Sequence, residues 1–400
     1  MQYFKLRESV VLKNIERPAL YDYENDDLYE LDEEAFNFVR YLTGKYSINE
    51  IIKLTDVDKQ EATDFINFMK DKDLIINLKD DSIDHIEEPN PVELPSLRTL
   101  LIHLTTRCNL SCVHCYLDKQ NVVDIDYKTI INIIKQFEAM QGFKILISGG
   151  EPLLYPKIFS LLEEIKDIKI RKILFSNGLL LTRDFIEKLK GLVQEIQISV
   201  DGIASHNIFR NNKRSYEAAI EAISNAKRFG FTVSVATMIH KKNLNEFEKL
   251  ESILSKLKVD NWYLDLPTVN QDSKFTEEFG VSLDDAAKIL TKYGWGKAIE
   301  DFSVGYCCGA HLCAIMPNGD VSKCGFFENE PVGNVKEEKL EILWKKIREK
   351  YIWPLELLKC SELNCPYIKD CYGGCRYRAK IISNDLFGVD KVKCKIYNFL

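Results

Sequence analysis

The chain has 400 residues, with 61 Asp or Glu against 54 Lys or Arg and a formal net charge of −7. Its 46% apolar and 29% charged content is that of a globular protein and excludes long disorder and collagen-like or low-complexity sequence. No stretch approaches the roughly 18 uncharged apolar residues of a membrane helix. The opening MQYFKLRESVVLKNIERP mixes charges from the start, so no secretory signal and no membrane partner are expected, and the compartment expected is the cytoplasm.

At about 100–200 residues per domain, two to three domains are expected. Residues 1–85 form a head. ESVVLKNI and ALYDYENDDLYEL have the alternation of strands, with a polar turn at Glu24–Asp27. DEEAFNFVRYLTG begins acidic and ends at Gly44, as a helix does. SINEIIKLT carries Ser47 and Glu50 at capping-box spacing. DKQEATDFINFMKDKDLI is a third helix, running into the strand LIINL. This order is winged-helix-like. Up to residue 90, 22 acidic residues face 11 basic ones. A duplex-binding module needs a basic stripe, so no nucleic-acid partner is expected. A structural cap and a peptide-docking module remain. Residues 86–98, with three prolines, read as a linker.

From residue 99 to 266, six apolar strand runs alternate with five amphipathic helices. That pattern gives an α/β fold with a parallel sheet, as an incomplete (β/α)6 barrel rather than a full eight-fold one. Residues 267–306 bridge, with a helix near SLDDAAKILTKYG. Residues 307–400 are short segments rich in turns and Cys, too poor in apolar core to stand without metal.

The chain holds 12 Cys. In a reducing compartment, clustered Cys point to metal or redox chemistry rather than disulfides. None precedes Cys108; Cys112 and Cys115 follow at once. The others are Cys307, Cys308, Cys313, Cys324, Cys360, Cys365, Cys371, Cys375 and Cys394. Chemistry in parallel α/β folds sits at the C-terminal ends of strands. After the first strand comes Arg107-Cys108-Asn109-Leu110-Ser111-Cys112-Val113-His114-Cys115-Tyr116. After the second comes Gly149-Gly150-Glu151-Pro152, after the third Ser176-Asn177-Gly178, and after the fourth Ser199-Val200-Asp201-Gly202. Three thiolates on one loop suit an iron–sulfur cluster with one iron left open. Structural zinc would want a fourth ligand, for which His114 is a candidate.

These motifs resemble those of the radical S-adenosylmethionine (SAM) superfamily. The resemblance implies that Cys108, Cys112 and Cys115 hold a [4Fe-4S] cluster whose open iron chelates SAM. SAM is then cleaved to a 5′-deoxyadenosyl radical that abstracts hydrogen from substrate. By the same resemblance Tyr116 flanks the adenine, and Gly149, Gly150, Glu151 and Pro152 hold the methionine amino group. Ser176 and Asn177 lie near the third strand, Ser199 and Asp201 approach the ribose, and Arg210 meets the SAM carboxylate. The tail resembles the SPASM extension, which carries two auxiliary [4Fe-4S] clusters, for three in all. Gly319-x4-Cys324, Cys365-x5-Cys371-x3-Cys375 and Cys394 fit its pattern; Cys360-x4-Cys365 departs from the usual x2. The implied outer ligands are Cys360, Cys365, Cys371 and Cys394. The inner ones are Cys313, Cys324, Cys375 and one of Cys307 or Cys308, a choice the sequence leaves open.

The head resembles the precursor-recognition element of peptide maturases, in which a leader peptide adds as a strand. The implied activity is modification of a ribosomally made peptide, with a thioether or carbon–carbon crosslink as product. A flavodoxin- or ferredoxin-like reductant is the implied electron source. Alternatives are a sulfatase-maturase-like enzyme, a haem-pathway-like enzyme and an iron–sulfur electron carrier. The first carries an Asp base directly after the Cys matching Cys324, where this chain has Gly325. The sequence names no catalytic acid or base.

Overall fold

The computed structural model describes residues 2–78, 86, 89–117, 121–267, 273–296 and 305–399. The linker and bridging segments expected from sequence fall partly on 87–88, 268–272 and 297–304, and the end of the head on 79–85, outside the described residues. The chain divides into two compact units. One gathers the chain up to Arg98 with Phe137–Lys144 and Ile168–Arg171, and the other holds the rest.

In the first unit the order is β1 (Tyr3–Leu6), β2 (Val10–Asn14), β3 (Pro18–Asp22), β4 (Asp27–Glu30), α1 (Glu33–Val39), β5 (Thr43–Ser47), α2 (Ile48–Thr55), α3 (Lys59–Asp71) and β6 (Ile75–Leu78). β2, β3 and β4 form an antiparallel sheet by themselves. A second antiparallel sheet has β1 between β5 and β6. The third helical turn expected before Gly44 does not form. Arg40 ends α1, Gly44 sits at φ +81° and Thr43–Ser47 pairs with β1 instead. That φ is one glycine adopts freely and other residues avoid. The Ser47 and Glu50 spacing does its expected job: Glu50 accepts from the Ser47 N–H at 2.8 Å and from its hydroxyl at 2.7 Å. Phe4, Leu12, Phe38, Leu42, Ile51, Met69 and Leu74 close one apolar core beneath the helices. The Pro-rich stretch ends inside this unit, since Glu16 accepts from Ser96 N–H at 2.8 Å and pairs with Arg98 at 2.5 Å.

From Thr99 the chain alternates as β7 (Thr99–His103), α4 (Tyr127–Ala139), β8 (Lys144–Ser148), α5 (Ile158–Glu164), β9 (Arg171–Ser176), α6 (Arg183–Leu189), β10 (Glu195–Ser199), α7 (Ala204–Phe209), α8 (Ser215–Arg228), β11 (Thr232–Met238), α9 (Phe247–Lys256) and β12 (Asn261–Asp265). These strands lie side by side in chain order, and β9 to β12 run parallel. This is the sheet with crossover helices that the alternation implied for an incomplete (β/α)6 barrel. Ile196, Ile198, Val233 and Val235 are buried in its middle, and Ala219, Ala222, Ile223 and Ala226 turn one face of α8 inward.

The Cys-rich tail adds to that sheet. After α10 (Ser273–Phe279) and α11 (Leu283–Lys292) come β13 (Leu312–Ile315), β14 (Asp320–Ser322) and β15 (Gly333–Asn334). β13 pairs in parallel with β7, placing Cys313 opposite Leu100, and β14 and β15 follow antiparallel. Helices α12 (Leu340–Tyr351), α13 (Lys359–Glu362), α14 (Ile368–Cys371), α15 (Arg376–Ser383) and α16 (Lys391–Ile396) complete it.

Candidate functional site

The Cys loop leaves β7 and is fastened at both ends. Asp124 accepts from the Thr105 hydroxyl at 2.5 Å and pairs with Arg107 at 3.1 Å. Farther along, the Val113 N–H donates to the Phe209 carbonyl at 3.1 Å, and His114 stacks flat on the Phe209 ring at 4.0 Å. His240 covers the other face of that ring at 4.1 Å. His114 is thus stacked as part of an aromatic column behind the loop.

The two glycines after β8 are there because nothing larger fits. A Cβ on Gly150 would lie 2.3 Å from the Arg107 carbonyl oxygen, and one on Gly149 2.7 Å from that of Thr105. The Gly150 N–H donates to Thr105 O at 2.7 Å, and the Glu151 N–H to Arg107 O at 2.8 Å. Gly149–Glu151 is therefore a backbone clamp on the start of the Cys loop. Pro152 follows at the head of a buried short helical turn.

Glu151 is fully buried. It accepts from the Ser176 hydroxyl and the Asn177 N–H, each at 2.9 Å. Burial pushes its carboxyl up to about 7, against those two hydrogen bonds and the Arg210 charge, which favour the anion. Asn177 also donates its amide to Asn109 at 2.7 Å, so the third strand end is tied to the Cys loop. Asn109 escaped sequence reasoning although it lies between two of the loop cysteines.

Tyr116 points its hydroxyl toward His103 Nε2 at 3.5 Å. A Cβ on Gly325 would lie 3.0 Å from that hydroxyl. Gly325, where a sulfatase-maturase-like enzyme would carry Asp, thus lets Tyr116 close in beside Cys324. Asp201 is fully buried, pairs with Arg210 Nε at 2.5 Å and accepts from Met238 N–H at 2.8 Å. Arg210 in turn points a second N–H at Cys112 Sγ, 3.8 Å away. The structure therefore joins Asp201 and Arg210 to each other and to a loop thiol. Ser199 is half-buried at the end of β10.

The tail thiols fall into sets. Cys308 and Cys375 hydrogen-bond to one another, the shared proton making Cys308 the more acidic, and Cys324 lies near enough to feel Cys308. Burial raises the thiols of Cys360, Cys371 and Cys394, and Cys365 adds to the rise in each. Cys307 faces elsewhere: its thiol donates to the Tyr351 carbonyl at 3.6 Å, within an apolar cluster that includes Leu355 and Leu358. Cys313 stands in the middle of β13, its thiol pushed up by burial alone. No disulfide links any of the 12 cysteines.

Soft thiols in sets suit iron–sulfur clusters. Structural zinc would gather its sulfurs at about 2.3 Å from one centre. Among the described residues, no three His, Cys, Asp or Glu side chains converge closely enough to wrap a single ion.

Residues 102–254 match the model of the radical SAM superfamily. The chain carries a radical SAM domain. It is an enzyme of the radical SAM type, and the domain implies SAM and a [4Fe-4S] cluster. Among curated relatives, the chain is 26% identical over 332 residues to the AdoMet-dependent heme synthase of Methanosarcina barkeri, covering 72% of this chain and 93% of that one. It is 26% identical over 386 residues to the antilisterial bacteriocin subtilosin biosynthesis protein AlbA of Bacillus subtilis, covering 86% and 84%. Among solved structures, Streptococcus suis SuiB bound to its precursor peptide SuiA aligns with a TM-score of 0.67 at 18% identity, over 98% of this chain and 99% of that one. No helix among the described residues is long and apolar enough to cross a membrane.

Within the radical SAM domain, Cys108, Cys112 and Cys115 would hold the cluster, and Glu151 offers a buried carboxylate for an ammonium group. When bound, the pair supplies hydrogen-atom abstraction from unactivated carbon. The chain's own part is to fix the thiol loop through Gly149, Gly150 and Asp124, and to keep Glu151 oriented through Ser176 and Asn177.

Proposed function

We propose that this enzyme modifies a ribosomally made peptide, removing hydrogen from an unactivated carbon to form a thioether or carbon–carbon crosslink. The observation that carries the reading is the first unit. It is an acidic module whose three-stranded sheet ends on β6, beside α3, with Phe68 and Ile76 exposed at 41% and 38%. An open edge with apolar side chains beside it is the kind of surface to which an extended leader peptide adds as a strand. The acidic balance favours a leader with basic residues. The likeness to AlbA, over 86% of the chain, supports the same reading. Cys313, Cys324, Cys375 and one of Cys307 or Cys308 would hold one auxiliary cluster, and Cys360, Cys365, Cys371 and Cys394 the other. A flavodoxin- or ferredoxin-like reductant would supply electrons.

Haem-pathway chemistry is the second reading, supported by the heme synthase relative, whose match covers 72% of the chain. One experiment separates the two. The chain is co-expressed anaerobically with short peptides encoded beside its gene, and the peptides are weighed by mass spectrometry. Loss of two hydrogens from a peptide, dependent on Cys112 and on its leader, is expected. Unchanged peptides in a sample that cleaves SAM, with conversion of an added iron porphyrin precursor, would overturn the peptide reading.

A further inference from the structure

Two exposed apolar side chains stand beside the Cys loop. Val113, next to Cys112, is 40% exposed, and Ile208 on α7 is 52% exposed. They come from distant parts of the chain. The Val113 N–H joins them, donating at 3.1 Å to the carbonyl of Phe209, the residue after Ile208. The turn after α7 meets the loop again, where Asn211 donates its amide to the Ser111 hydroxyl at 3.0 Å. Lys213 and Arg214 follow on that turn, both exposed. Asn207 fixes the turn by donating to the Lys213 carbonyl at 2.9 Å.

The charge here has one sign. Residues 107–117 and 202–216 contain no Asp or Glu. Arg107 is paired with Asp124, and Arg210 with Asp201. Lys213 and Arg214 pair with no carboxylate among the described residues. The whole chain carries −7, so this basic rim runs against the trend of the sequence. Apolar side chains scattered singly over a surface need no explanation. A pair joined across two segments, rimmed by free cations and adjoining Cys112, has the make-up of a docking face.

We propose that a small acidic electron-carrier protein of the flavodoxin type docks on this face to reduce the cluster on the loop. The proposal rests on the reading that Cys108, Cys112 and Cys115 hold that cluster and that such a carrier supplies its electron. A flavodoxin suits both parts of the face, because it presents an apolar flavin ring edge amid acidic side chains. Its carboxylates meet Lys213 and Arg214, and the ring edge rests on Val113 and Ile208. One electron then passes from the reduced flavin to the cluster, and no bond is made or broken. The cations set the rate of encounter and its salt dependence, while the apolar pair sets the register.

The test uses the reconstituted holoenzyme, with reduced bacterial flavodoxin as the probe and dithionite beside it. Wild type is compared with Lys213→Glu/Arg214→Glu, with Ile208→Ser, and with Lys336→Glu/Lys345→Glu. The last makes the same charge change on exposed residues of the tail. Flavodoxin binding is measured by calorimetry at low and high ionic strength, and iron and 5′-deoxyadenosine are counted. In Lys213→Glu/Arg214→Glu the flavodoxin Kd is expected to rise about ten-fold at low salt, with the gap closing at high salt. Ile208→Ser should weaken binding at both. Flavodoxin-driven 5′-deoxyadenosine should fall in step, while iron and dithionite-driven cleavage stay at the wild-type level. The tail variant should behave as wild type. Equal binding by every variant would overturn the proposal, as would a matching loss in the tail variant. A loss under dithionite as well would overturn it too, since that marks damage to the site itself. A wild type that cleaves SAM with dithionite but neither binds nor uses reduced flavodoxin would instead overturn the reading of the electron source, and this proposal with it.

Discussion

Ser176 and Glu151, at the ends of adjacent strands, meet at 2.9 Å with the hydroxyl donating to the carboxylate. Asn177 holds the other oxygen through its backbone N–H. The carboxylate is therefore aimed before any ligand arrives, yet burial makes its ionised form costly.

That cost has a pH signature. The Glu151 carboxyl lies near 7 in the folded protein, against 4.5 ordinarily. Between those values the folded chain binds the proton more tightly than the unfolded one, so stability falls as pH rises through the window. The iron- and SAM-free protein is expected to lose on the order of 2–3 kcal/mol from this group between pH 4 and pH 8. Glu151→Gln should flatten that part of the profile while abolishing SAM binding. Urea melts at several pH values check the first, and equilibrium dialysis of SAM the second.

Gly150→Ala places a methyl group where the Arg107 carbonyl stands. The clamp must open, at a cost of about 1–3 kcal/mol, and the Cys108 loop shifts with it. Iron should fall by about four per chain and 5′-deoxyadenosine formation by more than ten-fold. Gly191→Ala is the control: φ is +77° with nothing within 4 Å, so it should cost about 1 kcal/mol and leave iron unchanged.

Much of this was legible in the sequence because the signals are local. The spacing of Cys108, Cys112 and Cys115, the Gly149–Pro152 run and the Ser47–Glu50 pair each work within a turn or two of chain. The strand and helix alternation from Thr99 onward was equally plain. What escaped depends on partners far apart in sequence. Nothing near Leu312 says that β13 will pair with β7, and nothing near Phe209 says that it will be the bed for His114. The pair Cys307 and Cys308 could not be resolved from spacing. Cys307 is buried in an apolar cluster with Leu355, Leu358 and Cys360, whereas Cys308 is half-buried.

The two neighbouring cysteines should therefore respond differently. Cys308→Ala is expected to remove about four irons per chain. Cys307→Ala should keep its iron and cost about 1–2 kcal/mol for the vacated volume. Iron analysis beside thermal melts separates them, and iron loss in Cys307→Ala alone would reverse the assignment.

Lys13 gives the first unit its own pH response. It is buried, donates to the Gly142 carbonyl at 3.2 Å, and burial lowers it from 10.5 to about 8. Between about 8 and 10.5 the unfolded chain holds a proton that the folded chain lacks, so stability rises with pH across that window. Lys13→Met should be more stable than wild type at pH 7, by up to about 3 kcal/mol, and the gap should close by pH 10.5. Paired denaturant curves at the two pH values measure it.

The pairing of β13 with β7 has a mechanical consequence. β7 delivers the loop of Cys108, and the hairpin of β13 and β14 delivers Cys324. Two neighbouring strands of one sheet are held about 4.8 Å apart by a ladder of backbone hydrogen bonds. The starts of the Cys108 loop and of the β13–β14 hairpin are thereby tied to one another through backbone hydrogen bonds. Cutting away the tail would leave β7 without its β13 neighbour, so the strand that carries the Cys108 loop would become an edge.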